Sequence, residues 1–192
     1  MSFFQMSTPL AARRLFLGRS GGLVLSGAAV ALLAGNDALA AKMAGGAKAG
    51  DADILNGAIA SELEAIAAYQ LGAESKLLSK PVLDLALMFQ GHHKAHVALL
   101  SGTVQKLGGK PVGAKASYNF PVDQLKAEID VLRFAAKLEQ GAVSAYLAAI
   151  PLFANRDLSK AAGSILGDEA MHWAILRQAI GETPVVPSAF VG

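Results

Sequence analysis

Six carboxylate and imidazole side chains recur in this chain at closely matching spacings. Glu62 precedes His96 by 34 residues and Glu139 precedes His172 by 33, while Glu169 stands three before His172 and His93 three before His96. Carboxylate oxygen and imidazole nitrogen are the ligands that hold iron, manganese or zinc. The pattern reads as a Glu…Glu-x-x-His half-site written twice with one change: His93 stands where the other copy has Glu169. The chain contains no cysteine, so thiolate metal sites, disulfides and cysteine nucleophiles are excluded.

Such ligands need rigid elements to bring them together, and the patterning after Gly50 is helical throughout. Asp51 or Asp53 can cap a first helix to about Leu78, with Ile54, Ala58, Leu63, Ile66, Ala67 and Leu71 on its apolar face. Pro81 suits the first turn of a second helix to about Lys106, with Leu85, Leu87, Met88, Val97, Leu100 and Val104 inward and Gly108-Gly109 at its end. Pro121 opens a third, with Leu125, Ile129, Leu132, Ala136, Val143 and Leu147 inward, and Pro151 kinks or ends it. Asp157 caps a fourth running to about Ile180. Period-2 alternation is absent, so the expected class is all-α.

Loop lengths set the topology. Short loops join helices one and two, and three and four, giving two antiparallel hairpins. The connector from about Leu107 to Phe120 spans roughly 45 Å when extended. A helix of about 25 residues is roughly 38 Å long, so the connector can run the full height of a bundle. Going up one helix and down the next places Glu62, His93 and His96 at similar height, and Glu139, Glu169 and His172 likewise. Residues at i and i+3 share a helix face. Tyr69 and Tyr146 each follow a glutamate by seven residues, and Leu100 and Leu176 each follow a histidine by four, so the hairpins read as copies about a pseudo-twofold axis. Three carboxylates and three imidazoles in an Ala/Leu core are costly without a compensating cation.

Residues 51–180 resemble the ferritin-like superfamily of four-helix bundles, closest to exported bacterial ferritin-like domain proteins. The resemblance implies two hairpins joined by a long crossover, and two irons or manganeses held by one Glu from each of two helices and a Glu-x-x-His from each of the others. Glu62 and Glu139 match the single glutamates, Glu169 and His172 one full motif, and His96 the second motif's histidine. His93 replaces that motif's glutamate, which commonly bridges the metals. Imidazole bridges only as imidazolate, so a mononuclear site, an asymmetric pair or a zinc site competes with a symmetrical di-metal centre. Pairing Gln90 with His93 restores no carboxylate either.

Other residues carry plainer expectations. His92, one step around from His93, is read as a surface residue, and Glu64 faces away from Glu62 unless the register shifts. Tyr69 and Tyr146 are read first as core residues with satisfied hydroxyls and second as donors to the carboxylates. Trp173 packs between helices. Lys126, Arg133 and Lys137 form a solvated face.

The N-terminus reads as an address. Residues 12–18, Ala-Arg-Arg-Leu-Phe-Leu-Gly, precede an apolar stretch from Gly21 to about Gly35 and a small-x-small site at Ala38-Leu39-Ala40. This resembles a twin-arginine export signal, with Ala12 in place of the usual hydroxyl residue. Cleavage near Ala40 is favoured over an uncleaved anchor, because the stretch is short and glycine-rich. The expected layout is signal 1–40, linker 41–50, bundle 51–180 and a Pro-containing tail 181–192. Losing Arg13, Arg14, Arg19 and Asp37 takes the 17 basic residues to 14 and the 15 acidic residues to 14. A near-neutral mature chain argues against nucleic acid as partner, and no stable membrane span is expected once the signal is removed. Ala-rich surfaces permit a homodimer. The leading expectation is a periplasmic ferritin-like protein binding Fe or Mn, with Zn not excluded, and serving metal redox chemistry or oxidative stress. The alternative is a non-catalytic structural or stress protein with a degenerate site. A tail without a fifth short helix disfavours a storage shell.

Overall fold

The computed structural model describes residues 50–188. The expected signal, residues 41–49 of the linker and the last four residues lie outside the described residues. Within them are four long helices and no strand: α1 (Asp51–Glu74), α2 (Lys80–Lys106), α3 (Glu128–Ala149) and α4 (Arg156–Ala179). No helix among the described residues is long and apolar enough to cross a membrane.

Local chemistry fixes where each helix starts and stops. Asp51 and Asp53 lie in the first turn of α1, where carboxylates suit the positive end of the helix dipole. Helix α1 stops before Leu78 because Ser75 Oγ donates to the carbonyl of Gly72 at 2.6 Å and Lys76 takes a left-handed φ of 61°. Pro81 sits in the first turn of α2, and Gly108, at φ 77°, follows its last turn. Helix α3 starts at Glu128, not at Pro121, where only a short 3-10 turn, Val122–Gln124, forms. Asp130 moves the start: its Oδ2 accepts from the backbone of Lys126 at 3.1 Å and Ala127 at 2.9 Å, satisfying donors a helix end leaves open. Pro151 lies in the 3-10 turn Ile150–Leu152 that ends α3. The cap of α4 is Asn155, whose side chain accepts from the backbone of Asp157 at 2.9 Å, so Asp157 is within the helix.

Three tethers show the path of the chain. Asn56, near the start of α1, donates to Lys110 O at 3.1 Å and accepts from Val112 N at 2.9 Å. Gly109 lets the chain turn there, since a Cβ would lie 3.0 Å from Val104 Cγ1 and 3.3 Å from Ala52 Cβ. At the other end Glu128 accepts from the backbone of Ser79 in the α1–α2 loop. The connector therefore runs from the top of the bundle to the bottom. Asp51 then accepts from the backbone of Ala154 and Asn155, returning the α3–α4 turn to the top. Helices α1 and α4 run parallel, and α2 and α3 oppose them.

Two apolar clusters fill the interior. Leu55, Ile59, Leu100, Val104, Leu158 and Ile165 pack in the upper one. Phe89, Leu132, Ala136, Val143, Trp173 and Leu176 pack in the lower. The inward stripe of α2 runs through Phe89, His93, His96, Leu100 and Val104, so Leu87 and Met88, expected inward, are 46% and 48% exposed. Leu147 also points outward, because its neighbour Tyr146 takes the inward position.

Candidate metal centre

Between the apolar clusters lies a polar waist. Glu62, His93, His96, Glu139, Glu169 and His172 are all buried there, one or two from each helix. His93 Nδ1 lies 2.7 Å from Glu62 Oε2 and its Nε2 lies 3.3 Å from Glu139 Oε1. His96 Nδ1 faces Glu62 Oε2 at 3.4 Å and Glu169 Oε1 at 3.0 Å. His172 Nδ1 faces Glu139 Oε1 at 3.5 Å and Glu169 Oε2 at 3.4 Å. Two overlapping groups result: Glu62, His93, His96 and Glu169, and His93, Glu139, Glu169 and His172. His93 and Glu169 belong to both, so each half-site contributes one shared and two private residues.

The tyrosines cross between the hairpins. Tyr69 of α1 donates to Glu139 Oε1 of α3, and Tyr146 of α3 donates to Glu62 Oε1 of α1 at 2.6 Å. Both rings are buried, so each tyrosine packs in the core and also holds a carboxylate. Burial, reinforced by Glu139 and Glu62 respectively, pushes both hydroxyls well above their ordinary pKa and keeps them donors.

Burial and the pairing of opposite charges compete at the waist. Burial opposes a charged His93, but hydrogen bonds with Glu139 and Glu62 push it up to about 11. Burial opposes a charged His96 too, and contacts with Glu169 and Glu62 raise it to about 10; Glu139 and Glu169 raise His172 against burial to about 9. Glu139 is held below the usual carboxylate range despite burial, through His172 and His93, and Glu62 is lowered against burial by His93 and His96. Glu169 is raised, by burial first and by crowding from Glu139 and Glu62. Protons on three imidazoles thus fill the charge role a cation would take.

Protonation leaves the waist incompletely satisfied. Glu139 Oε2, both oxygens of Glu169 and His172 Nδ1 are buried without an aligned hydrogen-bond partner. The 3.0–3.6 Å contacts of Glu169 are close enough for ion pairing but not directed along N–H bonds. A buried carboxylate left so is costly, and all four orphaned atoms belong to the Glu139–Glu169–His172 group. Glu62 is different, since Tyr146 and His93 satisfy its two oxygens. The donor set, oxygen and imidazole nitrogen without sulfur, fits a divalent transition metal.

Beyond the waist, two residues stand where sequence reasoning did not put them. His92 was expected at the surface away from the centre, yet its Nδ1 lies 2.8 Å from His172 Nε2. Asp168 Oδ2 lies 3.1 Å from His96 Nε2. The available signal was spacing: Asp168 and His172 are four apart, on one face of a helix. Other expectations resolve simply. Gln90 bonds Ile66 O and Gln70 Oε1, away from the centre. Trp173 packs in the lower core with the Arg177 guanidinium 5.1 Å from its ring. Glu64, Arg133 and Lys137 line a groove between α1 and α3 that reaches His93 and Glu139.

A family model for a ferritin-like domain matches residues 50–182. The fold is similar to the crystal structure of a conserved hypothetical protein, rv2844, from Mycobacterium tuberculosis, with a TM-score of 0.62 and 21% identity over 71% of this chain and 94% of that one. No curated protein matches the chain.

Proposed function

From the chain's membership of the ferritin-like domain family, we propose that it is an exported metal-binding protein that holds Fe or Mn at the waist and uses it in redox chemistry with oxygen or peroxide. One observation carries the reading: four buried, unpartnered ligand atoms converge on the Glu139–Glu169–His172 group. Those residues, with His93 Nε2, would hold the first ion, and Glu62 and His96 would complete a weaker second position. A bound Fe or Mn supplies electron transfer and open coordination positions for an oxidant.

The chain's own residues set the conditions for that chemistry. Tyr69 and Tyr146 fix the carboxylates of Glu139 and Glu62 from the opposite hairpins, so neither glutamate can swing away. The two apolar clusters keep bulk water from the waist above and below. The groove between α1 and α3 carries Arg133 and Lys137 against Glu64 and Asp130, a balance that suits a small neutral oxidant. Residues 1–40, with their arginine pair and small-x-small site, support export to the periplasm, and a twin-arginine route suits a protein that folds around its metal before transport.

The test is elemental analysis after expression in Fe- and Mn-replete medium, beside a Glu169→Ala/His172→Ala double variant. Stoichiometric metal in the native chain and its loss in the variant are expected. Substoichiometric metal that the variant leaves unchanged overturns the reading. His93 favours a second reading, in which metal only staples the bundle, since a decaying site loses bridging ligands. That reading requires the ferrous protein to keep its Fe(II), measured by chelator assay, when oxygen or peroxide is added.

A further inference from the structure

His96 and His172 face the carboxylates through Nδ1 and turn their Nε2 atoms outward, toward Asp168 and His92 respectively. These outer partners are half-exposed, with side chains 41% accessible for His92 and 29% for Asp168. We propose that His92, Asp168 and His172 Nε2 form an outer cation site, which takes a divalent ion from solvent and passes it to the inner group. The inference rests on the metal-binding reading above and adds the route by which the ion arrives.

The geometry suits one ion. Ligand atoms from His92, Asp168 and His172 lie within 4.8 Å of one another. His92 Nδ1 is 2.8 Å from His172 Nε2 and 3.6 Å from Asp168 Oδ2, and His172 Nε2 is 4.0 Å from Asp168 Oδ2. Ligands around one tetrahedral ion sit roughly 3.3–3.6 Å apart, so small side-chain rotations close the site. The rim offers a carboxylate and two imidazoles, the chemistry a borderline cation seeks. The groove on the α1–α3 side offers no imidazole but His93 at its floor, and its Arg133 and Lys137 offset its carboxylates.

His172 makes the outer site a place of passage. A neutral imidazole carries one proton and one lone pair. With an ion on Nε2, the proton sits on Nδ1 and faces Glu139 and Glu169. With an ion on Nδ1, the proton sits on Nε2 and is donated to His92 Nδ1. The ring therefore serves the outer ion or the inner ion, not both. The inner group holds two buried carboxylates with unpartnered oxygens, so transfer inward is favourable.

Stopped-flow loading of the metal-free full chain with Co(II), read by its visible absorption, tests this. The variant is His92→Asn, whose amide oxygen can still accept from His172 Nε2 but ligates metal poorly. Loading and release are both expected to slow by about tenfold or more, the scale on which withdrawing a group beside a metal ligand alters its binding, with the inner stoichiometry unchanged. Asp168→Asn should slow loading similarly. Loading by His92→Asn at the native rate overturns the proposal, and so does a changed Kd at an unchanged loading rate, which would make His92 only a positioning residue. A native chain that binds no Co(II) overturns the metal-binding reading itself, and is told apart by its stoichiometry before any rate is compared.

Discussion

A neutral imidazole has one lone pair to give, and His93 stands between two groups that both use it. Its Nδ1 belongs with Glu62 and its Nε2 with Glu139. A carboxylate at this position could serve both groups with its two oxygens. We therefore predict one tightly held ion per native chain, and two in His93→Glu, counted by elemental analysis. The imidazoles also predict a pH dependence. The folded values of His172, His96 and His93, about 9, 10 and 11, lie above the unfolded value of 6.5. Their protonation therefore stabilises the metal-free protein fully below about 6.5 and progressively less as pH rises through 9 to 11. The melting temperature of metal-free protein should fall across that window. A flat profile there would show that the rings are not charged in the fold. Glu62 and Glu139 act oppositely: their lowered values contribute stability above the ordinary carboxylate range that is lost as pH falls below it.

The helices hold these residues at one height, and much of that was legible in the sequence. The spacing of Glu62 to His96 and of Glu139 to His172 placed all six side chains at the waist, because helical rise is regular and both hairpin loops are short. Helix boundaries were less legible. Asp130 captures the backbone of Lys126 and Ala127 and delays α3, and no periodicity announces that competition. Periodicity alone also put Leu87 and Met88 inward, since it cannot tell which of two adjacent apolar stripes meets the next helix. The crossed tyrosines were half legible: their register was visible, but their partner lies on the opposite hairpin, a relation that requires packing. These two bonds latch the hairpins together. Tyr146→Phe leaves a buried Glu62 oxygen without its donor and should cost about 1–3 kcal/mol in metal-free protein, by denaturant unfolding. A change within error would show that water replaces the hydroxyl there.

For the whole molecule, the proposed metal binding predicts a linkage between stability and metal. An ion that binds the fold and not the unfolded chain stabilises by about 2.7 kcal/mol at a hundredfold excess over Kd. For a bundle of this size that is a rise in Tm on the order of 10 °C. The Glu169→Ala/His172→Ala variant should show no such rise with Fe(II) or Mn(II). This linkage suits a protein proposed to leave the cytoplasm folded and loaded. As proposed, the waist is a cation site whose charge is carried by protons until metal displaces them. This is tested most directly by anaerobic calorimetric titration with Fe(II) in buffers of different ionisation enthalpy. The expected result is one ion per chain, protons released on binding, and loss of both in Glu139→Gln/Glu169→Gln. Binding without proton release, or binding that survives the double substitution, would contradict the account.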